Sequence, residues 1–62
     1  MQNRALIAAE CRQLADSYKA RAREPGVSQR RAALLTNIAR NFTALAGQLE
    51  MLSTYMAEES RK

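Results

Sequence analysis

One dipeptide does more than any other feature to limit what this chain can fold into. Pro25-Gly26 is where the helix-forming chain must stop, since Pro25 is the sole proline and the sole other glycine is Gly47. A proline inside a helix loses a backbone hydrogen bond and clashes with the preceding turn, at a cost of about 3 kcal/mol. It also drives the residue before it out of helical geometry, so a first helix should end near Arg23. Within Glu24-Pro25-Gly26-Val27 the proline stands second and the glycine third, which suits a type II turn. Ser28 then has the chemistry of an N-cap for a second helix. Val27, just ahead of it, is placed to pack on Ala32 as a small hydrophobic staple.

The segments on either side are rich in Ala, Leu, Arg, Gln and Glu, which favour helix. With one Val, two Ile and no alternating run, no strand is expected. In the second segment Leu35, Ile38, Phe42, Leu45, Leu49, Leu52 and Met56 recur at alternating spacings of 3 and 4, a coiled-coil seam. Ala32, Ala39 and Ala46 run beside it. The first segment repeats the design with a seam of Ile7, Cys11, Leu14 and Tyr18 and a small flank of Ala8, Ala15 and Ala22. The expected fold is all-α: residues 1–62 as one antiparallel two-helix hairpin, with a helix over about 3–23, a turn at 24–28 and a helix over about 29–59. Counting outward from the turn sets Tyr18 near Leu35, Leu14 near Ile38, Cys11 near Phe42 and Ile7 near Leu45. Leu52 and Met56 then overhang the start of the first helix.

A lone hairpin buries only one stripe per helix, and this chain has apolar residues to spare: Leu6 in the first segment, Leu34, Met51 and Tyr55 in the second. Two hairpins joined as a four-helix bundle would cover them. A homodimer is therefore expected, with Leu34, Leu45, Leu49, Leu52, Tyr55 and Met56 as its interface. Another protein is the other candidate for that surface.

Catalysis is not expected. The chain has no His, so the commonest general base and metal ligand is missing. Cys11 is the sole cysteine and falls on a core seam, where it acts as a small hydrophobe; a reactive thiolate needs an activating neighbour. Glu10 and Asp16 fall on a polar face, and paired carboxylates for hydrolysis would need a concave pocket. Gly26 and Gly47 are isolated, so there is no phosphate loop. The sequence thus offers no catalytic, cofactor or metal residues. The apolar run Ala5–Ala9 ends at Glu10, too short for a secretory signal or a membrane span. With a lone cysteine, this points to a cytoplasmic protein.

Charge is distributed unevenly. Residues 1–31 hold seven bases and three acids, whereas residues 32–62 hold three of each, so the net +4 lies wholly in the first half. Lys19, Arg21, Arg23, Arg30 and Arg31 cluster about the turn. Bases at the end of the first helix suit its dipole; Arg30 and Arg31 at the start of the second do not. A solvated helix end, pairing with Glu24, or an acidic partner such as nucleic acid would account for them. Tyr18 and Phe42 lie on the seams, so no exposed stacking platform supports nucleic acid.

The runs Glu10-Cys11-Arg12-Gln13-Leu14-Ala15, Arg31-Ala32-Ala33-Leu34-Leu35, Ile38-Ala39-Arg40-Asn41-Phe42 and Leu45-Ala46-Gly47-Gln48-Leu49-Glu50 flank a proline-containing turn. In this the chain resembles a group of very short alphaproteobacterial helical proteins of unknown function, over about residues 9–50. Members often carry Trp where Phe42 stands here. The resemblance implies a helical hairpin in a small bacterial protein and no activity. In architecture alone the chain is also similar to the Rop-type RNA-binding dimer. The leading functional expectation is a non-enzymatic protein that self-associates and acts by protein–protein contact. The alternative is a small nucleic-acid-binding regulator using the basic turn. A weaker third is a peripheral membrane or polyanion sensor, which Glu10 and Asp16 disfavour.

Overall fold

A computed structural model describes residues 4–61, with side chains from residue 7. The Leu6 side chain and the expected first residue of the helix lie outside that description. Two helices, α1 (Arg4–Ala22) and α2 (Gln29–Ser60), pack against each other as a hairpin. Among the described residues there is no strand.

The turn forms as its chemistry dictates. The Val27 N–H donates to the Glu24 carbonyl at 3.4 Å, closing a four-residue turn. Gly26 sits at φ +86°, the left-handed conformation that the third residue of a type II turn requires. Ser28 is extended, with φ -67 and ψ 158 degrees. Its Oγ accepts from the Arg31 N–H at 3.1 Å, so α2 begins at an N-cap.

The helices differ in length. α1 has 19 residues and α2 has 32. At about 1.5 Å per residue, they span about 28 Å and about 48 Å. The molecule is a rod of 54 × 17 × 13 Å. Its radius of gyration is 15.1 Å, against about 11 Å for a compact domain of this length.

The core is made of small residues. Ala8, Cys11, Ala15, Ala39 and Ala46 are buried, and among the described residues no large side chain is fully buried. Phe42 and Leu49 pack against the Ala8–Cys11–Ala46 cluster. Leu35, with the flanking Ala32 and Ala22, is half-buried. This departs from the expected seam in a definite way. The alanines that the spacing puts at the flank are the contact itself, and the seam of larger residues divides. Leu35, Phe42 and Leu49 turn toward α1, while Ile38, Leu45, Leu52 and Met56 turn away. On α1, Leu14 likewise stays outside. The reason is steric. Alanines repeating every seven residues let two backbones approach closely, and the branched side chains then fit only at the margins.

The expected nearness of Cys11 and Phe42 agrees with the packing of Phe42 on the cluster that holds Cys11, but side chains also reach beyond that register. Tyr18 stacks on Phe42, ring centroids 5.8 Å apart and planes 12° apart. Long helical side chains lean toward the N-terminus of their own helix. In an antiparallel pair, those of α1 lean away from the turn and those of α2 lean toward it. Long side chains therefore also join residues farther from the turn on α2 than Cα counting implies, as in Tyr18–Phe42. The Arg12–Glu50 ion pair, with Nη2 and Oε1 2.7 Å apart, follows the same rule.

Candidate interaction surface

The side of α2 turned away from α1 is a continuous apolar stripe. Leu34, Ile38, Leu45, Leu52 and Met56 are each 36–58% exposed. At 3.6 residues per turn they fall within about 20° of a single line along the helix. Tyr55 and Met51 widen the stripe at its far end, at 61% and 71% exposure. Beside it Gln48, Met51, Leu52 and Tyr55 line an open apolar hollow of about 300 Å³.

Five of the six residues expected at an interface thus stand exposed on one helix: Leu34, Leu45, Leu52, Tyr55 and Met56. Leu49 is half-buried within the hairpin. The structure adds Ile38, Leu14 and Met51 to the exposed set, although their spacing puts them on or beside the internal seams. The signal that sorts them is the alanine repeat, since the helix face carrying Ala32, Ala39 and Ala46 is the one that can approach α1.

All five bases around the turn are exposed. The Arg21 guanidinium lies over the Tyr18 ring, 5.3 Å from its centroid. It extends the Tyr18–Phe42 stack by a cation–π contact. Pairing of Arg30 or Arg31 with Glu24, one of the accounts of these bases, does not form; among the described residues the ion pair present is Arg12–Glu50. There the guanidinium donates through Nε at 3.2 Å and through Nη2 at 2.7 Å. Such a two-pronged contact is the favoured geometry for Arg and a carboxylate. This hydrogen bonding holds the Glu50 carboxyl below its ordinary range and raises Arg12 above its own.

Cys11 is a free, buried thiol. Among the described residues no three His, Cys, Asp or Glu side chains gather as a metal site would need. No described helix is long and apolar enough to cross a membrane. Neither a protein family, nor a curated protein, nor a solved structure matches the chain.

Proposed function

We propose that this chain is a non-enzymatic helical protein that self-associates through the outer stripe of α2, forming a four-helix bundle, and acts by protein–protein contact in a cytoplasmic setting. The observation that carries this is surface area. The hairpin exposes 5197 Å². A compact monomer of its mass, 6.9 kDa, exposes about 4,000 Å². The excess of roughly 1,200 Å² per chain is larger than the ~800 Å² that each partner buries in a standard stable complex. The exposed surface includes a row of large apolar side chains, while the hairpin's own core is alanine and cysteine. Light scattering coupled to size exclusion tests the proposal: the expected mass is twice that of the chain at micromolar concentration, and a monomer mass at 100 μM refutes it.

A second reading has one observation in its favour, the five exposed bases at the turn end. Each base that neutralises a phosphate steepens the log–log salt dependence of binding by roughly 0.7–0.9. If the cluster binds nucleic acid, Arg30→Ala with Arg31→Ala flattens the salt slope measured by fluorescence anisotropy. Absence of binding at low salt leaves the bases as a solvated helix end.

A further inference from the structure

The outer stripe of α2 reads alike from both ends. Leu45 lies at the middle of Gln29–Ser60. Ile38 and Leu52 stand seven residues to either side of it, and Leu34 and Met56 eleven. Charge behaves in the opposite manner. Arg30 and Arg31 make the turn end basic, whereas Glu58 and Glu59 at the other end are balanced by Arg61 and Lys62. A helix with symmetric apolar positions complements a copy of itself turned end for end, and that arrangement keeps the two basic turns apart.

Resting on the self-association proposed above, we propose that two copies pair antiparallel along α2, turn to tail, about a twofold axis at Leu45. Ile38 of each chain then lies level with Leu52 of the other, and Leu34 level with Met56. Arg30 and Arg31 come level with the partner's neutral tail, where Glu59 lies, and far from its basic turn. Packed side by side in the same direction instead, the two basic turns would adjoin and repel.

Helix length supports the same arrangement. One α1, about 28 Å long, covers only the turn half of the 54 Å rod. Two α1 helices placed at opposite ends together span that length, so each roofs the part of the α2 layer that the other leaves bare. With both turns at one end, both overhangs carrying Leu52, Tyr55 and Met56 would stay uncovered by any α1. The hollow fits as well. It is lined by Gln48, Met51, Leu52 and Tyr55, which stand at i, i+3, i+4 and i+7, the four corners of a knobs-into-holes socket. Under this pairing the hollow borders the interface, at the level of the partner's Ile38.

Disulfide trapping tests the orientation separately from the association. Ile38→Cys and Leu52→Cys chains, each also carrying Cys11→Ala, are mixed under reducing conditions, oxidised, and their linked peptides identified by mass spectrometry. A disulfide needs Cα atoms within roughly 7 Å, whereas positions 38 and 52 stand about 21 Å apart along one helix. Turn-to-tail pairing therefore gives the mixed 38–52 link as the major product. A dimer mass with only 38–38 and 52–52 links overturns the orientation and leaves self-association standing. A monomer mass for the wild-type chain at 100 μM overturns both.

Discussion

At the residue scale, two positions show how local chemistry sets the hairpin. Gly26 holds φ +86° with open space where a Cβ would stand, so the cost of replacing it is backbone strain alone. Gly26→Ala should destabilise the fold by about 1–2 kcal/mol, the left-handed penalty for an L-residue, measured by urea denaturation. An unchanged midpoint would mean that the turn rearranges freely. Glu50 is the other. Because Arg12 hydrogen-bonds its carboxylate, the folded chain favours the ionised form more than the unfolded chain does. That contribution is complete above the ordinary carboxylate range and is lost as pH falls through the lowered folded value. Thermal midpoints recorded from pH 7 down to pH 2.5 should show a fall that is shallower in Glu50→Gln. Identical slopes would mean that the exposed pair adds nothing measurable, the common fate of surface ion pairs.

At the element scale, the alanine repeat explains a contradiction in the hydrophobic pattern. Seven large residues alternate at 3 and 4 along α2, yet one face cannot serve two neighbours. Ala39 and Ala46, both fully buried, select the face that meets α1. Enlarging that contact should therefore do harm even though the new side chain is apolar. Ala46 clusters with Ala8 and Cys11. Ala46→Leu should destabilise by about 1–3 kcal/mol through overpacking against them. Ala44→Leu on the exposed side should be close to neutral. Guanidinium unfolding followed by far-ultraviolet circular dichroism compares the two. Equal effects would contradict an alanine-mediated contact.

At the scale of the whole molecule, the hairpin is long, thin and short of buried apolar volume. Fully burying a large apolar side chain contributes about 1.5–3 kcal/mol, and the outer stripe offers several such residues that the hairpin leaves wet. Leu52→Asp with Met56→Asp should shift the light-scattering mass to that of a monomer. Helicity should fall with it, because folding and assembly are linked in a chain with so small a core. Gln13→Ala with Asp16→Ala, on the exposed face of α1, should change neither. Arg12 makes a poor control because of its contact with Glu50. If the double-Asp chain keeps the wild-type mass, the far end of α2 is no assembly surface.

Helical content, the reversal at Pro25-Gly26, the Ser28 cap and a surplus of apolar surface over what one hairpin can cover were all legible in the residues themselves. Each depends on local chemistry: a fixed proline φ, a glycine free to adopt positive φ, a hydroxyl three residues before an unpaired N–H, and the count of apolar side chains. Tertiary structure decided which half of the seam faces inward, that Leu49 lies within the hairpin while Ile38 and Leu14 lie outside it, and that Tyr18 meets Phe42. Those outcomes depend on how closely two backbones approach and on which way side chains lean across the gap. A periodic pattern records that a residue is apolar and where it falls around the helix; only the neighbouring helix decides which apolar face is used first.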